Sequence, residues 1–123
     1  MNYLWIALGA VAGASARYFL NGLVARNVSS AFPYGTLLIN VTGSLVLGFF
    51  LAYSSERVLL DPRWRLLIAI GFCGSYTTFS SYAFESFALI EHGQWALATF
   101  NILTSTVLCL AAVMVGAALA RGL

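Results

Sequence analysis

Between Ser75 and Tyr82 the chain reads Ser-Tyr-Thr-Thr-Phe-Ser-Ser-Tyr, so that every residue except Phe79 carries a hydroxyl. The run lies inside an otherwise apolar stretch of membrane-spanning length, and hydrocarbon offers no hydrogen-bond partners. Seven hydroxyls are tolerated there only where they face protein, water or a permeating solute, and where any broken backbone lines a cavity. Two further stripes carry donors at similar depth. Thr36, Asn40, Gly43 and Leu47 follow a 4-3-4 spacing and share one helical face, from which the Asn40 amide can donate twice. Asn101 and Ser105 stand one turn apart, with Thr104 adjacent. Such groups either glue helices together, at roughly 0.6 kcal/mol per bond, or line a polar pathway.

The chemistry of a pathway built this way is that of neutral donors. The only carboxylate inside a span is Glu85, near the end of the third, so the acidic relay or ring expected for protons or cations is missing. A small anion fits better, because hydroxyl and amide hydrogens can replace its water and the positive edge of an aromatic ring can face it. Phe79 and Tyr82 are three residues apart and share a face. Ordinary helix packing of the two rings is the plainer alternative.

These residues need helices to carry them. Of the 123 residues 61% are hydrophobic and only 8% charged, against about 25% charged in soluble domains. Four apolar blocks, 4–23, 36–53, 66–90 and 95–119, reach or approach the ~20 residues that cross ~30 Å of hydrocarbon. Breakers and charges collect at the joints: Asn27 to Pro33, Ser54 to Arg65 with Asp61-Pro62, and Glu91-His92-Gly93. The reading is an all-α integral membrane protein, one four-helix domain over residues 1–123, with the third helix broken near its middle. The first block lacks a basic start and a small-residue cleavage site, so it reads as a helix that stays.

Four helices in so short a chain cannot enclose a private pathway while each still shows a face to lipid, so oligomerisation is expected. Gly9 and Gly13 in the first helix, and Gly43, Ser44 and Gly48 in the second, are small residues of the kind that let membrane helices touch. They serve contacts within the chain or between chains. Arg57, Arg63, Arg65 and Arg121 fall on one side of the membrane and Arg26, with Arg17, on the other. The imbalance leans towards cytoplasmic termini and leaves insertion both ways open. A mid-span Arg17 costs roughly 2.5 to 3.5 kcal/mol on insertion scales unless it snorkels or finds a partner. Cys73 and Cys109 have no metal-type spacing and read as reduced packing residues, and His92 reads as a solvated loop residue.

The residues Thr77-Thr78-Phe79-Ser80-Ser81-Tyr82, preceded by Gly71-Phe-Cys-Gly74 and followed by Glu85, resemble the Gly-x-x-Gly-x-x-Thr-Thr-Phe-Ser-Thr-Phe signature of the Fluc fluoride channels, also called CrcB proteins. Gly35-Thr-Leu-Leu-Ile-Asn40-Val-Thr-Gly43 resembles the Gly-Thr-Leu-x-x-Asn-x-x-Gly signature of the same family, and Arg17 resembles its first-helix arginine. The likeness covers the whole chain. It implies an antiparallel, dual-topology dimer in the cell inner (plasma) membrane, with narrow fluoride pores and passive, voltage-driven export of toxic cytoplasmic fluoride. Asn40 would be the pore amide, Phe79 and Tyr82 the ring pair, Thr78 and Ser80 neighbouring hydroxyls, Ser105 a fourth-helix pore serine, and Arg17 a vestibule or gating residue. A structural sodium ion at the dimer centre would be held by the backbone carbonyls of Gly74 and Thr77. Partners are the fluoride ion, the bilayer and a second copy or a paralogue, with no nucleic acid.

Tyr82 departs from the family pattern, which has Phe, and Asn101 stands where many members carry an aromatic residue. These changes keep a non-conducting protein or half of a heterodimer among the readings. A small multidrug-type transporter has similar length but needs a carboxylate in its first helix, where this chain has Arg17. A non-conducting scaffold would not need the hydroxyl run, and no nucleophile, base and orienting group can be assembled for an enzyme.

Overall fold

The computed structural model describes residues 1–56 and 60–122; Arg57, counted above among the loop cations, lies outside the described residues. Three uninterrupted helices are long and apolar enough to cross a membrane: α1 (Asn2–Asn27), α2 (Tyr34–Glu56) and α6 (Trp95–Arg121). Each overruns the apolar block read from the sequence by a few residues, because helices continue past the last apolar side chain into the polar rim. The protein is thus all-helical and membrane-borne.

The stretch between α2 and α6 is different in kind. It opens with a short turn α3 (Pro62–Trp64), continues as a nine-residue π-helix over Arg65–Cys73, tightens into α4 (Gly74–Tyr76), and stops. Thr77 and Thr78 are extended, with ψ of 157° and 117°, before α5 (Phe79–Glu91) begins. Pro62 suits the first turn of α3, where its missing N–H costs nothing, and the Asp61 carboxylate caps it by accepting from the Arg63 amide at 2.9 Å. The Arg63 guanidinium returns to the same carboxylate at 2.6 and 3.0 Å and lies 5.5 Å over the Trp5 ring. These bonds from the Arg63 side chain and backbone hold the exposed Asp61 carboxyl down at about 2. At the far end, the Gln94 amide donates to Leu89 and the Gly93 amide to Ile90, and Gly93 adopts φ 74°. That left-handed residue lets the chain turn directly into α6.

Packing divides the small residues. α1 lies against the π segment and α4, and α2 lies chiefly against α6. Gly9 and Gly13 carry the first contact: a methyl group on either would overlap the carbonyl oxygen of Leu67 or Phe72. Gly48 and Gly116 carry the second, against the carbonyls of Val113 and Leu45. The small-residue motif of the first helix therefore serves contacts within the chain. Spacing alone says that two backbones approach, and it does not say whose.

Because the obstacle at Gly13 is backbone, a methyl there can be accommodated only by separating two helices. Gly13→Ala should lower thermal stability in detergent by roughly 1–3 kcal/mol. Gly22→Ala, where a methyl meets nothing within 4 Å, should leave it unchanged or raise it by up to ~1 kcal/mol. Equal melting temperatures for the two variants would remove the close approach from the account.

Candidate functional site: a polar cavity at the break of the third span

An interruption at Thr77-Thr78 leaves backbone groups that an unbroken helix would have paired, and inside a membrane each must find another partner. Three elements supply them. From α2, the Asn40 side chain pairs with both ends of Thr78: Oδ1 accepts from the Thr78 amide at 2.8 Å and Nδ2 donates to the Thr78 carbonyl at 3.1 Å. From α1, Arg17 Nε donates to the Ser75 carbonyl at 3.0 Å. The mid-span guanidinium thus has a backbone partner one turn before the break. Within the segment, Thr77 Oγ1 donates back to Cys73 O at 2.8 Å, and Thr78 Oγ1 caps α5 by accepting from the Ser81 amide at 3.2 Å. The Tyr76 and Thr42 hydroxyls meet at 2.8 Å and tie α4 to α2.

Two carbonyls are left over. In a continuous helix Gly74 O would accept from the Thr78 amide and Thr77 O from the Ser81 amide. Both donors are taken elsewhere, by Asn40 Oδ1 and Thr78 Oγ1. These are the two carbonyls to which the sequence resemblance assigns sodium, and Gly74 is exposed on the surface of the chain. Uncommitted carbonyl oxygens are the ligand type a hard cation takes, so the residues present fit that group.

Beside the break lies a cavity of about 330 Å³ walled by α2, the residues on either side of the break and α6. Asn40, Thr78, Phe79, Tyr82 and Ser105 all line it. The Phe79 and Tyr82 rings meet edge to face, with centroids 5.3 Å apart, and no acidic or basic side chain is among its lining residues. Among the described residues no group hydrogen-bonds the Tyr82 hydroxyl. The cavity also opens at the N-terminus of the 13-residue helix α5, whose first amides and dipole favour negative charge.

Ser80 does not line the cavity; it is exposed, with its hydroxyl 3.4 Å from that of Thr78. Asn101, expected among the pathway donors, is only 1% exposed and sits behind the wall, its amide spent on Ser86 and its carbonyl on Ser105. Conversely Cys73, Cys109 and Thr106 do line the cavity. Both thiols are free, and Cys73 is packed in the core, as their spacing implies; spacing carries no sign that either also borders a cavity. Glu85 lies elsewhere, bordering a second cavity with Asn21, Ser30 and Tyr34. Its Oε1 and the Oγ1 of the buried Thr36 are both enclosed, and among the described residues neither makes a hydrogen bond of regular geometry, although the two side chains are near enough to interact.

The sequence is similar over nearly its whole length to proteins of one family. Residues 4–117 match the family model described as CrcB-like protein, Camphor Resistance (CrcB). A protein of Koribacter versatilis named fluoride-specific ion channel FluC is 58% identical over 122 residues, which is 99% of this chain and 97% of that protein. Proteins with the same name from Trichormus variabilis and Rhodospirillum rubrum are 47% and 41% identical, over 94% of this chain and 85% and 92% of theirs. With the family model matched over residues 4–117 and relatives of this identity covered over most of their length, the chain belongs to the CrcB family.

Proposed function

We propose that the chain forms a fluoride-selective channel for passive, voltage-driven export of cytoplasmic fluoride; its relatives are named fluoride-specific ion channels. The observation that carries this reading is the convergence of Asn40, Thr78, Phe79, Tyr82 and Ser105 on one cavity free of charged side chains. An anion entering it exchanges water for amide and hydroxyl hydrogens, the positive edges of two rings and the N-terminal end of α5. The absence of a fixed cation in the lining keeps the anion from being trapped, since conduction needs binding weak enough to release.

The broken segment 62–91 is the third of four crossings in this reading, and residues 1–123 form one four-helix domain. The cavity is open along one side, where Phe79 is 78% exposed; a second copy inserted the opposite way closes it, giving an antiparallel dual-topology dimer. The backbone carbonyls of Gly74 and Thr77 from both copies would then hold a sodium ion, which would supply positive charge to those oxygens at the break. Arg17, committed to Ser75 through Nε, adds positive charge beside the break and draws anions towards it. Ser80 supplies a hydroxyl on the open side. Export driven by voltage places the protein in the inner (plasma) membrane, where fluoride that entered as the neutral acid is trapped as the anion.

Purified protein in liposomes should release fluoride, read with a fluoride electrode after addition of a potassium ionophore, while chloride stays inside. Phe79→Ile should fall to the rate of protein-free liposomes with the oligomer intact on size exclusion; undiminished efflux would take Phe79 out of the lining. Tyr82→Phe should keep or raise the rate, because the phenol hydroxyl has no partner that depends on it; a complete loss would show that this hydroxyl is required. Wild-type protein that is folded and silent would point to a heterodimer partner or a non-conducting member.

A further inference from the structure

Behind the cavity wall a chain of buried polar groups joins α5 to α6. Ser105 Oγ donates to Asn101 Oδ1 at 3.3 Å, Asn101 Nδ2 donates to Ser86 Oγ at 2.9 Å, and Ser86 Oγ donates to the Tyr82 carbonyl at 2.9 Å. Ser86 and Ser105 are 6% and 8% exposed, and of the three side chains only Ser105 reaches the cavity.

The direction of this chain is fixed from one end. A backbone carbonyl only accepts, and a hydroxyl has a single hydrogen. Ser86 therefore spends its hydrogen on Tyr82 and must accept from Asn101. That requirement turns the Asn101 NH₂ towards Ser86 and its carbonyl oxygen towards Ser105, which spends its own hydrogen there. Ser105 consequently faces the cavity with lone pairs, the wrong polarity for an anion. The Ser105–Asn101 bond is the longest link, well beyond the ~2.7–2.8 Å usual between oxygens, and is the one that yields.

We infer that Asn101 is a positioning residue: it holds the Ser105 hydroxyl turned away from the cavity, and an anion gains Ser105 as a donor only by taking its hydrogen from Asn101. The identity of the anion, fluoride, rests on the function proposed above; the orientation of Ser105 does not. A hydrogen bond from hydroxyl to anion is shorter and stronger than one to an amide oxygen, so the exchange is available to a bound ion and reverses when it leaves. Asn101 then sets how tightly the cavity binds without touching what is bound.

The test is a double-mutant cycle on fluoride affinity, measured by calorimetric titration of the purified protein with sodium fluoride. Asn101→Leu removes the competing acceptor and should tighten binding roughly two- to tenfold, the worth of one hydrogen bond; in a Ser105→Ala background the same change should have no effect. Unchanged or weaker binding in Asn101→Leu, or an equal gain without Ser105, would overturn the inference. A second measurement needs no anion and no disruptive variant: Ser105→Ala should shift the Asn101 side-chain amide resonances in the ion-free protein, and unshifted resonances would equally overturn it. Wild-type protein that binds no fluoride while those resonances do shift would contradict the proposed function and leave the orientation of Ser105 established.

Discussion

The Asn40 amide and the Thr78 peptide face each other as two peptide groups do in a sheet, each donating to and accepting from the other. In water such a pair contributes little, because solvent competes for every group. Inside a membrane its absence would leave a bare amide and a bare carbonyl, each costing several kcal/mol. The helix break can exist at this depth only because α2 carries a side chain that satisfies it. Everything else about the site follows from that break: the α5 N-terminus at the cavity, the two carbonyls without helical donors, and a helical segment in two pieces that end at Tyr76 and begin again at Phe79. Arg17 plays the matching part from α1 by pairing with Ser75, so each neighbouring long helix commits a polar residue to the interrupted strand of backbone.

Holding the break in register is a packing problem, and the glycines address it. α1 sits against the π segment with no side chain between the two backbones at Gly9 and Gly13. α2 meets α6 the same way at Gly48 and Gly116. In lipid, where burying apolar groups gains little, close van der Waals contact is the main source of helix association. Two close-packed helix pairs therefore flank one cavity, whose lining residues come from α2, α6 and the broken segment between them.

Much of this was legible in the sequence, for physical reasons that can be named. The hydroxyl run between Ser75 and Tyr82 is conspicuous because polar groups are expensive in hydrocarbon, and it marked the broken element. Asn40 fell on the same side of α2 as Gly43 by helical spacing, and both line the cavity. What stayed hidden concerns direction and phase. Nothing in Arg65–Cys73 announces a π-helix, whose wider turns set the phase of every hydroxyl that follows. The paired glycines signalled a close contact without naming the partner helix. The burial of Asn101 behind the wall, and the lining roles of Cys73 and Cys109, depend on which face of an apolar helix turns inward. A uniformly apolar helix carries no such signal.

In the proposed channel one amide both closes the broken backbone and offers its remaining hydrogen to a passing anion. Replacing Asn40 by Asp separates the parts: the carboxylate can still accept from the Thr78 amide, but it cannot donate to the Thr78 carbonyl and it brings negative charge to the cavity. The decisive measurement is fluoride efflux from liposomes carrying Asn40→Asp beside wild type, with oligomeric state checked in parallel. Efflux should collapse to the protein-free rate in an assembled protein, by like-charge repulsion at short range. Efflux at the wild-type rate would place Asn40 outside the pathway and reduce its bonds with Thr78 to interhelical glue.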